Sequence, residues 1–519
     1  MTLRWQPPVE TSAQENKILS RCKKAKLFVF LRLHRHQLFD GEFQDRLAAM
    51  YPARSAGKEP VPPAMLAMVT LLQAAMDVSD EDAVEFAVMD RRWQMLLGTL
   101  GSDEAPFAQG SLFNFRERLI ASDLDEVLLD RTVALAKETR GFGFKALRAA
   151  LDASPLFGAG RVEDTFNLIG HAARELLRAA AKRLGLDEKT AAQQAGIPLV
   201  TGSSLKASLD IDWDDPKQKK AALELLLRQV QSLAAFVERE LAAELAQPPL
   251  AERWATLKQV LTQDLEPDPE GGGSRIKRGV AKERRISVRD GEMRHGRKSK
   301  TSRVDGYKRH LAVDVDSTLV VGAAVTPANR PEAEAVPDLL ADVRRHAGGD
   351  PSDMFIDRGY LSAEELHAQR QRGTEVHCKA FPLHNAGRYT KADFILDLDE
   401  RRLTCPAGQT VPFELGTTVH FPAATCRVCP RRTSCTTASE RGRSVSIHPH
   451  EAFLVQLRAN QKSPSGRASN RRRVVVEHSL AAISRTQGRR ARYLGVRKNL
   501  FDLRRHAAVA NLHVAAKAA

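Results

Sequence analysis

Residues 471–511 read RRRVVVEHSLAAISRTQGRRARYLGVRKNLFDLRRHAAVAN. The stretch carries one glutamate, Glu477, in a field of arginines. Val476, Leu480 and Ile483 recur at helical spacing, which predicts an amphipathic helix with one buried face. Arg473 stands one turn before Glu477 on the same side. Two readings are open at this point. One is an i,i+4 ion pair on a solvated helix, worth little to stability. The other is a carboxylate held there for chemistry, and residues upstream bear on the choice.

Working back from that helix, strand signals come first. DMFIDRGYLS (353–362) predicts a short strand ending at Asp357, with a turn at Gly359. Helical patterns flank it at 331–347 and 362–373, and TEVHCKAFP (374–382) predicts a further short strand. GYKRHLAVDVDSTLVVGAAVTPAN (306–329) predicts two strands of a hairpin joined at Asp316-Ser317-Thr318. FKALRAALDASPLF (144–157) predicts a buried strand that delivers Asp152 at or near its end, with Pro155 preventing continuation. Strands and helices in this order predict a mixed α/β sheet, hairpin first and α-crossovers after.

In open sheets the functional crevice lies beyond the carboxyl ends of the strands. Asp152, Asp357 and Glu477 are the acids expected to meet there. Three carboxylates close together repel, and a divalent cation relieves them. Oxygen-only ligands favour Mg²⁺ or Mn²⁺ over zinc. A pair of such ions serves phosphoryl transfer by activating the attacking oxygen and stabilising the leaving one. Competing acids exist: Asp164 for Asp152, and Asp314 or Asp316 for Asp357.

The rest of the chain supplies the setting. Residues 1–22, with Pro7 and Pro8, suit an extended arm, and 23–140 are helical in pattern. Pro62 and Pro63 stand where a helix can begin. That block suits DNA binding or dimerisation. A break follows at Gly141-Phe142-Gly143. From 165 to 275 the pattern is helical again, forming an insertion that closes with DPEGGGS (268–274). Next comes RGVAKERRISVRDGEMRHGRKSKTSR (278–303), whose density of Lys and Arg ahead of a strand favours phosphate contact over a solvated loop.

Across 519 residues, 79 Lys and Arg stand against 64 Asp and Glu, a formal net charge of +15. A surplus of that size suits a polyanion, nucleic acid foremost. No run of about 18 apolar residues exists and MTLRWQPPVE has no signal core, so a cytoplasmic protein without a membrane partner is expected. Of six cysteines, Cys405, Cys426, Cys429 and Cys435 cluster in a second insertion, 383–460. Cys426-x2-Cys429 is a knuckle, and Cys405 and Cys435 can complete a Cys₄ zinc site with no open coordination position, hence structural. Cys378 is expected in the core of its strand.

Asp152-Ala153-Ser154, MRHGRKSK with DGYKRHLAVD, VTPANRPE, Asp357-Arg358-Gly359-Tyr360 and RRARYLGVRKNLFDLRR together resemble a bacterial insertion-sequence transposase of the DDE type. The resemblance runs from about residue 25 to the C-terminus. It implies an RNase H-like catalytic domain over 141–519, interrupted by the two insertions, behind the N-terminal helical domain. It implies Asp152, Asp357 and Glu477 as catalytic Mg²⁺ ligands, DNA cleavage and strand transfer at the ends of the element, and a homodimer when two ends are synapsed. Arg473-x3-Glu477 matches half of the family's Tyr-x2-Arg-x3-Glu-x6-Lys helix signature. Asn470 stands at the tyrosine position and Ser484 at the lysine position. Phosphate contacts are therefore expected from Arg294, Arg297, Lys298, Lys300 and Lys308, and from Arg473, Arg485, Arg489, Arg490, Arg492, Arg497 and Lys498. Two alternatives are a plain metal-dependent nuclease on the same fold and an inactive DNA-binding relic that represses transposition.

Overall fold

The apolar run 149–151 becomes the centre of a sheet in the computed structural model, which describes residues 4–52, 60–141, 146–269, 271–298 and 301–517. Its strand, β1 (Arg148–Phe157), has Ala149, Ala150 and Leu151 fully buried. The sheet is completed by β2 (Arg294–Arg297), β3 (Arg303–Asp314), β4 (Val320–Pro327), β5 (Asp353–Phe355) and β6 (Glu375–His377). β3 pairs antiparallel with β1, setting Asp152 opposite Leu311 and Ala153 opposite His310. β3 and β4 form the expected hairpin, and β5 and β6 add in parallel beyond β1. The order is β4–β3–β1–β5–β6, with β2 on the β3 edge ahead of β4. The helix Val336–Ala347 leads from β4 to β5, and Glu364–Gln371 leads from β5 to β6.

Pro155 does not end β1. The strand runs on to Phe157, so Asp152 lies in its middle and not at its end. β5 pairs only with Arg148, Ala149 and Ala150, leaving the next part of that edge free. Phe157 donates on that side to the Arg489 carbonyl at 2.9 Å. Pro155, two residues earlier, faces the same edge, where its missing N–H costs no ladder bond.

Helices between Ala13 and Arg140 make up the N-terminal region, and the first of them, Ala13–Arg21, capped by Ser12 and Glu15, stands where the second half of an extended arm was expected. Pro63 opens the helix Pro63–Met76, which is buried almost all round. These helices do not close on themselves. The C-terminal helix Val496–Lys517 packs against Lys26–Leu38, Pro63–Met76, Leu124–Arg140 and β4, so one hydrophobic core spans helices and sheet. Polar anchors run through the seam. Asp125, 2% exposed, pairs with Arg497 and Arg504. Asn511 is fully buried; it accepts from Val320 N at 2.7 Å and donates to Val320 O at 2.9 Å.

Between β1 and β2, the helices Thr165–Leu184, Pro216–Leu241 and Leu250–Asp264 enclose a second core. A third and small one, around Phe394, Leu403 and Phe421, lies under the three-residue strands between Ile395 and Ser446. Among the described residues no helix is long and apolar enough to cross a membrane.

Candidate active site

Three separate local structures bring the acids to one pocket. Asp152 projects from mid-β1 and accepts from Ala153 N at 2.8 Å. Asp357 follows β5 and caps a single 3₁₀ turn, Arg358–Tyr360, accepting from Arg358 N at 2.8 Å. Glu477 lies in the first turn of the helix Val474–Thr486, where the helix dipole favours a negative charge. That helix seats its Val476, Leu480 and Ile483 face, as the spacing predicts, against β1 and β3. All three acids line the same pocket.

Arg473 ties Glu477 to Asp152. Its guanidinium pairs with Glu477 as an i,i+4 partner and with Asp152 at 2.6 Å, across 321 positions of sequence. Glu477 is therefore ion-paired and also lines the pocket shared with Asp152 and Asp357. Burial pushes the Asp152 carboxyl above its usual range; Arg473 draws it back and Asp357 pushes it further up. Burial opposes the charge on Arg473 too, but Asp152, Glu477 and Asp357 hold its pKa above the ordinary value.

A fourth carboxylate, Glu332, was not foreseen. It begins the 3₁₀ turn Glu332–Ala335 that packs against the Arg358–Tyr360 turn, and it lines the same pocket. Burial raises its pKa; Lys308, 3.9 Å away, lowers it, and Asp357 and Asp152 raise it again. A Cβ on Gly359 would stand 2.1 Å from its Oε2, so the glycine is what lets this carboxylate in. That close approach was the available signal, and no sequence pattern reports it.

Two β3 residues hold the frame. Arg309, 1% exposed, donates to Ser154 Oγ at 2.8 Å and to Gln487 Oε1 at 2.7 Å. It also donates to Gly488 O at 3.0 Å and Ser484 Oγ at 2.5 Å. Ser484, at the position of the family lysine, thus fastens the helix to the sheet. The next residue, His310, is fully buried between Tyr360 Oη and Thr326 Oγ1, each at 2.9 Å.

Four oxygen donors around an open, polar pocket fit a hard divalent cation. The acids are not drawn to mutual contact, since Arg473 stands between Asp152 and Glu477. Among the described residues, Asp353, Glu375 and His377 alone place three ligand atoms within 4.8 Å of one another. Asp353 and Glu375 pair at the start of β5, at the end away from Asp357; His377, in register with Phe355, reaches back to bond Asp353 at 2.8 Å and stacks on Phe355.

The competing acids have structural partners. Asp164 caps the helix Thr165–Leu184 and pairs with Lys206. Asp314 accepts from the Ser317 amide and hydroxyl in the hairpin turn, and Asp316 pairs with Arg148.

The basic residues divide. Arg297, Lys298, Lys308 and Arg473 line the pocket, and Arg485, Arg489 and Arg490 are exposed beyond it. Arg294 is tied to the carbonyls of Gly291 and Met293. Arg492 reaches the Val78 carbonyl, Arg497 pairs with Asp123 and Asp125, and Lys498 pairs with Glu117. Lys300 lies outside the described residues. Cys405, Cys426, Cys429 and Cys435 line one pocket of their own, remote in sequence from the acids' strands, and Cys378 is buried in the main core.

Residues 404–516 match the family described as transposase DDE domain, and residues 23–118 match that described as transposase domain (DUF772). The first match contains Glu477 and the four clustered cysteines, and the second lies within the N-terminal helices. The two matches are consistent with an insertion-sequence DDE transposase. No curated protein and no solved structure gives a significant match to the chain.

Proposed function

We propose that this chain, which carries transposase-family domains near both ends, cuts DNA strands at the ends of an insertion sequence and joins the freed ends to target DNA. The observation that carries the reading is the meeting of Asp152, Asp357 and Glu477 in one pocket, from a strand, a post-strand turn and a late helix. The strand order β4–β3–β1–β5–β6, antiparallel then parallel, supports an RNase H-like core over 141–519. Helices 23–140 would serve end binding or dimerisation, with the helical segment 165–275 and the cysteine-bearing segment 383–460 as insertions.

Asp152, Asp357 and Glu477 would hold two Mg²⁺ or Mn²⁺ ions, which when bound supply an activated attacking oxygen and stabilise the leaving one. The chain's own part is positioning and charge. Asp152 and Asp357 are fixed by backbone N–H donors before any ligand arrives. Arg473 neutralises two of the acids and can turn to a phosphate when cations take that role. Glu332 adds a further acceptor at the rim, and Lys308 and Lys298 supply point charges for the strand backbone. No side-chain nucleophile is required, because water and then a 3′-hydroxyl attack in line.

The test is incubation with Mg²⁺ and DNA bearing the element's inverted ends. Cleaved and joined products are expected. Cleavage without joining would reduce the reading to a nuclease, and end binding without cleavage would reduce it to a repressor. Asp357→Asn should abolish cleavage and leave end binding nearly unchanged.

A further inference from the structure

We propose that Cys405, Cys426, Cys429 and Cys435 bind one structural Zn²⁺ that fastens the small β module between Ile395 and Ser446. The claim is independent of the strand-transfer reading, because none of these residues lines the acidic pocket.

The four thiols come from separate turns that the fold gathers. Cys405 closes a tight turn, donating from its amide to Gln409 O at 2.8 Å while Gly408 N donates back to Cys405 O at 2.8 Å. Gly408 takes φ +88°, with open space around its α-carbon, so the turn and not packing selects glycine there. Cys426 lies in the one-turn helix Ala423–Arg427, Cys429 follows it, and Cys435 ends a further turn with its amide on Arg432 O at 2.9 Å. All four are half-buried, and none is in a disulfide. They face a common pocket, although Cys405 and Cys435 are thirty positions apart. No three of their sulfurs stand within 4.8 Å of one another. Zn–S bonds of about 2.3 Å would draw them in over a frame the backbone has already set.

The module needs such a fastening. Its core consists of eight buried apolar side chains under strands of three residues each. A core that small supplies little stability by itself, and natural modules of this size are held by metals or disulfides. Arg431, Arg432 and Arg443 line the pocket and are pinned by the carbonyls of Pro406, Ala438 and Tyr389. They set positive charge beside a tetrathiolate centre of net charge −2. On binding, each thiol gives its proton to solvent and its sulfur lone pair to zinc; nothing is oxidised or reduced. Four thiolates fill the tetrahedron, so the ion holds structure and does no chemistry. The remaining cysteines stand apart: Cys378 is in the main core with its thiol pushed up to about 12 by burial, and Cys22 is in the N-terminal helices.

The experiment is metal analysis of the full-length chain purified without added zinc, followed by titration with a mercurial thiol reagent and by Co²⁺ exchange. Expected results are one zinc per chain, its release in step with modification of four thiols, and the intense thiolate-to-cobalt absorption of a tetrahedral Cys₄ site. Cys426→Ser with Cys429→Ser should remove both zinc and the cobalt signature, whereas Cys22→Ser should keep them. Absence of zinc with freely reactive thiols in the wild-type chain would overturn the proposal, whether or not the double variant folds. Zinc retained by the double variant would overturn it equally.

Discussion

Removing the Tyr360 hydroxyl should slow DNA cleavage out of proportion to its cost in stability. Tyr360 closes the turn that begins at Asp357, and its hydroxyl meets His310 Nδ1 at 2.9 Å. His310 is opposite Ala153, the neighbour of Asp152, so this bond fixes the two aspartates relative to one another. In Tyr360→Phe the ring stays and Nδ1 is left buried without a partner, which costs about 1–3 kcal/mol. A shift of about 1 Å at the Asp357 turn would cost on the order of 10²-fold in cleavage rate. The pH dependence has a defined sign. Burial lowers the His310 pKa from 6.5 to about 3. Its folded pKa is depressed, so its contribution is full above pH ~6.5 and is lost as pH falls toward 3. At 1.36 kcal/mol per unit, the loss between pH 6.5 and 5 is about 2 kcal/mol. The Tyr360 hydroxyl is raised well above 10 by burial and stays protonated throughout this window. The assay pairs cleavage of end-bearing DNA at saturating Mg²⁺ with chemical unfolding at pH 7 and pH 5. His310→Gln should lose the acid-side slope that the wild type shows. If Tyr360→Phe lowers stability yet cleaves at the wild-type rate, the contact is structural only and the positioning argument fails.

Divalent cation should stabilise the wild-type chain by roughly 2.7 kcal/mol at one hundred times its Kd, and Asp152→Asn should lose most of that thermal shift; an equal shift in both proteins would refute the ligand assignment. Gly359→Ala sets a methyl 2.1 Å from Glu332 Oε2, so the flexible carboxylate must swing aside; weaker cation binding with little change in stability is expected, read by calorimetry with Mn²⁺ and by unfolding. Asn511→Leu leaves the Val320 amide and carbonyl buried without their side-chain partner; about 2–6 kcal/mol should be lost, at roughly 1–3 kcal/mol per orphaned group, detectable as a lowered midpoint in denaturant. Arg497→Ala breaks the pairs with Asp123 and Asp125 that join the N-terminal helices to the C-terminal helix; limited proteolysis should then cut near residues 120–125, with the salt dependence of DNA binding changed little.

Much of the sheet was legible because its signals are local. The apolar run before Asp152, the hairpin pattern and the Val476, Leu480 and Ile483 spacing each report burial through periodicity alone. The end of β1 was not, because whether Pro155 breaks a strand depends on what lies across its edge. Basic residues were the least legible part of the site. Arg497 and Lys498 sit in a field of positive charge that suits phosphate, yet Asp125 and Glu117 from the N-terminal helices meet them first. A cation's partner can lie hundreds of positions away, and no window of sequence contains both. The same holds for Arg504, whose partners are Asp125 and Glu126, whereas Arg505 pairs with Asp502 three positions away.

The long-range ties explain why one short run, Arg309-His310-Leu311, lies at the centre of the site without supplying an acid to it. Leu311 pairs across the sheet with Asp152. His310 reaches the turn that carries Asp357, and Arg309 reaches the helix that carries Glu477. Three consecutive residues of one strand therefore set the register of all three acids. Strand geometry sends neighbouring side chains to opposite faces, so Arg309 and His310 address elements on the two sides of the sheet at the same level. The buried cation and the buried imidazole are costly to desolvate, and burial lowers the pKa of both, to about 10 and about 3. An apolar strand would be the cheaper core. What the polar pair adds is direction: hydrogen bonds of 2.5–2.9 Å to named acceptors and hydroxyls constrain position more tightly than hydrophobic contact, which is non-directional. On the proposed function, mutually repelling carboxylates would have to be kept in place until cations and DNA arrive, and β3 supplies such a constraint from outside the pocket.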